Sequence, residues 1–236
     1  MRGAAPAMQT KAPTCLTLGG VEFVADVSGA LFHEAERLLI VADLHLEKGS
    51  AYAARRVLLP PYDTAATLAR LAETARRLAP RAIVALGDSF HDVRAGERMA
   101  DTDRQTLADL QRGRDFLWIA GNHDPEAPAF AGGERRETLS LRGLILRHEP
   151  MAGAGGEIAG HLHPVARVVT RSGGVRRRCF VSDGVRCVMP AFGAYAGGLN
   201  IRDPAFAPLF GESPIIAHVL GRSGVYGVGA HVCRPD

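Results

Sequence analysis

LLIVADLH, residues 38–45, runs five apolar residues into an aspartate and, two places on, a histidine. A short β-branched apolar run is the pattern of a strand buried on both faces. Asp and His are metal-ligand types, and here they stand at its carboxyl end. The arrangement recurs four times along the chain. AIVAL (82–86) precedes GDSFHD (87–92), and FLWIA (116–120) precedes GNHD (121–124). LILR (144–147) runs into RHEP (147–150), and EIAG (157–160) into GHLHP (160–164). In open α/β sheets the carboxyl ends of the strands converge on one crevice, so five such ends would build one polar pocket. Side chains at i and i+2 of an extended segment point the same way, which would pair Asp43 with His45 and His161 with His163.

Between the first three strands the spacing is helical. Leu68, Leu71, Ala75 and Leu78 follow Asp63, read as an N-cap, and Leu107 and Leu110 precede Gly113. Alternating strand and helix imply a layered α/β domain. Beyond His163 helical periodicity is lost to short strands with Gly-rich turns, ARVVT, VRRRCFV and VRCVMP, which predict an antiparallel second sheet. Residues 16–36 read as an opening β-hairpin. Residues 1–13, rich in Ala, Pro and Gly, are expected to be disordered, leaving 14–236 as one domain.

Composition narrows the class further. With 236 residues, 47% apolar and 22% charged, the chain matches ordinary globular proteins. No stretch approaches the roughly 20 apolar residues of a membrane helix, and the N-terminus lacks the apolar core of a signal peptide. These features predict a cytoplasmic protein without a membrane partner. Cys15, Cys179, Cys187 and Cys233 form no CxxC pair, which argues against a zinc knuckle or disulfide framework and for reduced thiols. The net charge is +3, and RSGGVRRR (171–178) could face a polyanion or form a solvated hairpin.

A single strand histidine is more often a hydrogen-bonded structural residue than a ligand. Six of the nine histidines, however, fall in the five segments beside aspartates and an asparagine, a constellation that reads as a metal centre. D-x-H, GD, GNHD, a single His and GH-x-H, in that order, resemble the calcineurin-like metallophosphoesterase superfamily. The resemblance implies a four-layer α/β/β/α sandwich, two mixed sheets flanked by helices. It also implies two divalent ions, one on Asp43, His45, Asp88 and His163 and the other on Asp88, Asn122, His148 and His161, with Asp88 bridging.

The chemistry fits that assignment independently. Divalent ions about 3.5–4 Å apart clamp the attacking and leaving oxygens of an in-line phosphoryl displacement. Two ions bring about +4 against −2 from Asp43 and Asp88, a surplus that invites phosphate and hydroxide. A water shared by the ions would lose a proton near neutral pH and attack phosphorus, so no protein nucleophile is required. His123 corresponds to the superfamily's substrate-facing histidine, which stabilises developing charge or protonates the leaving oxygen. Asp124 could orient a neighbouring imidazole. GDSFHD departs from the common GDxxD form, and His91 would either border the substrate or hydrogen-bond within its turn.

Longer stretches narrow the resemblance. VADLHLEKGS (41–50), LLPPYDT (58–64), GEIAGHLHP (156–164), RRRCF (176–180) and PAFGAYAGGLN (190–200) resemble the bacterial ligase-associated DNA-repair phosphoesterases, the PdeM-type family. This implies a manganese-dependent endonuclease that cuts single-stranded DNA and works beside a DNA ligase, a helicase and an exonuclease. Spacing alone indicates only phosphoester hydrolysis, with Mn, Fe, Zn or Co all accepted by such ligands. A phosphomonoesterase or cyclic-nucleotide phosphodiesterase is the alternative. A non-catalytic DNA-binding subunit or a lipid-linked pyrophosphate hydrolase fits less well. Lys48, Arg55 and Arg56, with the Arg run at 176–178, are compatible with a nucleic-acid path. Trp118 reads as core, Tyr195 or Phe192 as a base-stacking candidate, and the loop glycines could bring amides near a phosphate.

Overall fold

The computed structural model describes residues 14–57, 59–125, 128–170 and 173–236, so the stretch expected to be disordered lies outside the described residues. The chain opens with β1 (Thr14–Leu18), β2 (Val21–Ala25) and β3 (Leu31–His33), an antiparallel meander where a hairpin was expected. β4 (Leu38–Ala42) follows, then helices α1 (Lys48–Ala54) and α2 (Asp63–Leu78) and strand β5 (Ala82–Leu86). Helices α3 (Ala95–Arg98) and α4 (Asp101–Gln111) lead to β6 (Asp115–Ile119) and β7 (Glu134–Arg136). These seven strands form one sheet in chain order, antiparallel up to β4 and parallel from β4 to β7.

The second sheet takes β8 (Leu139–Leu141), β9 (Leu144–Arg147), β10 (Glu157–Ala159), β11 (Val165–Thr170), β12 (Gly173–Ser182) and β13 (Arg186–Val188). After helix α5 (Ala207–Phe210) it is completed by β14 (Ile216–Leu220) and β15 (Val225–Gly229). Its order is β15-β14-β12-β13-β10-β9-β8, with β11 on β12. The strands after His163 pair antiparallel as expected, β11, β13 and β14 with β12 and β15 with β14. The sheet as a whole is nevertheless mixed, because β10 runs parallel to both β9 and β13. The five ligand-bearing strands thus divide between two sheets whose carboxyl ends meet, and the crevice lies between sheets instead of along one.

Burial explains the layering. β4 is buried at all five positions because both its faces are covered. Leu38, Ile40 and Ala42 pack with Leu146, Ile158 and Phe180 between the sheets. Leu39 and Val41 pack against Leu68 and Leu71 of α2 and Leu107 and Leu110 of α4. On the far side Cys179 and Val181 lie under Phe206 and Phe210, so the fourth layer is reduced to α5 and the 3₁₀ turn Pro204–Phe206 before it. The architecture is the α/β/β/α sandwich. Trp118 belongs to the core, its indole N–H donating to Gly132 O at 2.9 Å. Asp63 is not the N-cap of α2. Tyr62 holds that position, and the Asp63 carboxylate accepts the Gly49 N–H at 3.0 Å, joining α2 to the start of α1.

Candidate metal centre

Beyond β4 and β5 the two backbones stay paired. Asp43 N–H donates to Gly87 O (3.3 Å), His45 N–H to Asp88 O (2.8 Å) and Leu46 N–H to Ser89 O (2.9 Å). The residues expected to present their side chains from extended backbone do not. Asp43 (φ 53°), His45 (45°) and Asp88 (44°) are left-handed, as are His161 (69°) and His163 (47°). Such φ values are uncommon outside glycine, although Asp and His tolerate them best. Left-handed residues in alternation bring each pair to one side by curling the chain.

Two donor groups result. Asp43, His45 and His163 offer ligand atoms within 4.8 Å of one another, and so do Asp88, His148 and His161. His163 Nε2 lies 3.3 Å from both His45 Nε2 and Asp43 Oδ1. In the second group His161 Nδ1 stands 3.2 Å from His148 Nε2. Asn122 Oδ1 lies 2.8 Å from that His148 nitrogen and 3.0 Å from His161 Nδ1. Asp88 faces both groups, with Oδ2 at 3.8 Å from His45 Nε2 and Oδ1 at 3.4 Å from His148 Nε2. All seven expected ligands are therefore brought together, with Asp88 central. Converging imidazole nitrogens beside carboxylates and an amide oxygen form a donor set that fits two divalent cations.

The glycines of the motifs make room for this packing. A Cβ on Gly87 would stand 2.5 Å from the His148 ring, on Gly121 2.1 Å from Asp88 N, and on Gly160 2.5 Å from Asp43 Oδ2. Each motif glycine lies against a ligand from another segment.

His123 stands at the open side of the site, its Nε2 3.9 Å from Asp88 Oδ2 and its side chain 42% exposed. Its amide donates to Asp88 Oδ1 (2.9 Å), and its Nδ1 bonds the His91 carbonyl (2.9 Å). That bond leaves Nε2 directed away from the turn. The His91 ring is stacked on His123 with centroids 5.3 Å apart, and Tyr52 lies 5.8 Å away on its flank, so His91 packs behind His123. Asp124 orients no imidazole. Its Oδ2 accepts the Phe90 N–H at 2.9 Å and fixes the turn that carries Asp88. Burial, with Asp88 nearby, raises its pKa to about 7. Burial and the neighbouring His163 push His45 down to about 2. Burial and His148 likewise lower His161. Neutral imidazole is the form that binds metal.

One substrate-facing expectation is corrected and a second is narrowed. Phe192 is fully buried against the Arg70 guanidinium and is closed to a base, whereas Tyr195 remains half-buried. The loop amides of Phe192, Gly193 and Leu199 already donate to the carbonyls of Ala42, Asp43 and Leu162. Gly193 and Gly198 serve close backbone approach, a Cβ on Gly193 standing 2.4 Å from Leu44 O and one on Gly198 2.3 Å from His163 O, whereas a Cβ on Gly197 would meet open space. Lys48 lies over the Tyr52 ring at 6.0 Å, on the wall beside His91. Sequence reading missed Glu47, whose buried carboxylate accepts from Thr64 (2.9 Å) and Ser50 (2.6 Å) and anchors the Asp43–His45 turn. Nothing local distinguishes it from a surface glutamate.

This sandwich with paired donor groups at its strand ends defines a metal-dependent phosphoesterase. The family model of the calcineurin-like phosphoesterases matches residues 36–188, and the chain belongs to that family. Among solved structures it is similar to Pseudomonas putida nuclease MPE, with 29% identity, a TM-score of 0.69, and coverage of 92% of this chain and 100% of that one. A protein of unknown function, AQ665 from Aquifex aeolicus, is much less similar, at 15% identity and a TM-score of 0.39 over 58% of this chain and 81% of that one. A search of curated protein sequences gave no match. No described helix is long and apolar enough to cross a membrane.

Proposed function

We propose that the protein is a manganese-dependent endonuclease cutting single-stranded DNA, working in repair beside a DNA ligase, a helicase and an exonuclease. The observation that carries this reading is the two adjoining donor groups, with Asp88 facing both, which suit the paired ions of phosphodiester cleavage. The likeness to a nuclease over 92% of the chain supports a polynucleotide as the substrate. The narrower motif set supports the single strand and the repair setting.

Asp43, His45, Asp88 and His163 would hold one ion, and Asp88, Asn122, His148 and His161 the other. When bound, the ions supply Lewis acidity and an activated water. The chain supplies the rest. Asp88 keeps the two groups in register, and the His91 carbonyl fixes the His123 ring with Nε2 towards the open side, where a protonated imidazole can donate to the departing oxygen. The test is cleavage of circular single-stranded DNA with Mn²⁺, compared with a mononucleotide and a bis-aryl phosphate. Nicking in preference to monoester hydrolysis is expected. Preferred hydrolysis of the mononucleotide would favour a small-nucleotide phosphatase.

A further inference from the structure

Two arginines, neither of them part of the metal centre, reach the 190–200 loop from different elements. Arg178 of β12 donates from Nη1 to Ala191 O at 2.8 Å. Arg70 of α2 donates from Nη2 to the next carbonyl, Phe192 O, and its guanidinium stands 4.6 Å from the Phe192 ring centroid. Both side chains are half-buried. The carbonyls they bond are consecutive, and burial, with the charge of Arg178 adding to it, brings the Arg70 guanidinium down to about 10. Among the described residues no carboxylate pairs with either, whereas Arg176 on the same strand is tied to Asp236 at 3.0 Å. A guanidinium carries five N–H donors, and Arg70 Nε is buried with no acceptor. Cations that are partly desolvated and without a counter-ion carry a desolvation cost. An anion would offset it.

The place suits a substrate. The loop these arginines hold is bonded to the first donor group, Gly193 N–H to Asp43 O at 3.0 Å, and Gly198 lies against the His163 carbonyl. A cleft of about 140 Å³ is lined by Arg178 with its strand neighbours Arg176 and Arg177 and by Val165, Ala196 and Gly197. We propose that this cleft is a phosphate subsite in which Arg178, backed by Arg70, holds a backbone phosphate of the DNA strand next to the one cleaved. The proposal rests on the reading of the substrate as a polynucleotide and adds where the strand leaves the metal centre.

The test is a length series of single-stranded oligonucleotides, from dinucleotide upward, with Mn²⁺ and the full chain, and with a bis-aryl phosphate run in parallel. The wild type should show a step in kcat/KM on the order of tenfold when the strand gains the phosphate that fills the cleft, the worth of a charge-assisted hydrogen bond. R178Q should lose the step and flatten the salt dependence of log KM by about 0.7, because one phosphate is no longer neutralised. It should keep the wild-type rate on the bis-aryl phosphate, and R178K should keep part of the step. A smooth wild-type series, a step that survives in R178Q, or equal slowing of R178Q on both substrates would overturn the subsite. The wild-type series stands even if R178Q fails to fold. A wild type that hydrolyses the bis-aryl phosphate and cuts no oligonucleotide overturns the nuclease reading, and the subsite with it.

Discussion

At the scale of single residues, the site depends on backbone conformations that side-chain chemistry alone does not favour. Five of the seven expected ligands have positive φ, at a cost of roughly 1–2 kcal/mol each, which the fold must supply. The motif glycines are the other half of the arrangement. Gly121→Ala should cost about 1–3 kcal/mol by overpacking against Asp88 N and should lower metal-dependent hydrolysis, measured by thermal unfolding and by the rate on a bis-aryl phosphate. His123→Ala should behave differently. The ring lies outside both donor groups, so metal content should be unchanged while kcat falls by about 10²–10⁴-fold. Loss of metal along with activity would move His123 into the ligand set. The seven residues that the fold brings together could be picked out in the sequence because the ordered motifs carry the family resemblance. Their left-handed backbone was not, since nothing in Asp-x-His distinguishes an extended pair from a curled one. The fate of Phe192 was equally hidden, because its burial depends on Arg70, 122 positions away.

At the scale of elements, apolar runs and helical spacing located β4, β5, β6, β9, β10, α2 and α4 well, because each signal is local. Caps and turns were read less well. Asp63 looks like an N-cap, but a backbone amide 14 residues earlier claims its carboxylate. The opening hairpin gains a third strand because β3 pairs with β4, which sequence periodicity does not record. Helix α2 is fastened at its other end by Arg77, which makes two bonds (2.7 and 2.9 Å) to Asp26 after β2. Burial tends to raise the Asp26 pKa, and the bonds from Arg77 and Ser28 more than offset this, so the net shift is downward. A carboxyl with a depressed folded pKa contributes stability above its unfolded pKa and loses it as the pH falls through the folded value. Asp26→Asn should therefore cost about 1 kcal/mol at pH 7, and the difference from wild type should shrink as the pH drops below about 4. Denaturant unfolding at several pH values measures this; a difference that grows towards acid would contradict it.

At the scale of the whole molecule, strand periodicity indicated one crevice, and only the family resemblance implied the two-sheet sandwich that makes it. Five strand ends in one sheet would have spread the ligands along an edge. Two sheets packed face to face bring β4, β5 and β6 from one side and β9 and β10 from the other, and the ligands enclose a centre. That pairing is non-local and leaves no periodicity in the chain. It also means that bound metal bridges the two sheets. Chelation should lower the unfolding temperature, and Mn²⁺ at about 100 times its dissociation constant should restore about 2.7 kcal/mol. The central claim, that Asp88 is shared between two ions, is tested most directly by equilibrium dialysis against Mn²⁺ followed by elemental analysis. Two equivalents per chain are expected for the wild type and a loss of at least one for Asp88→Asn. Fewer than one equivalent in the wild type, or two in the variant, would contradict the account.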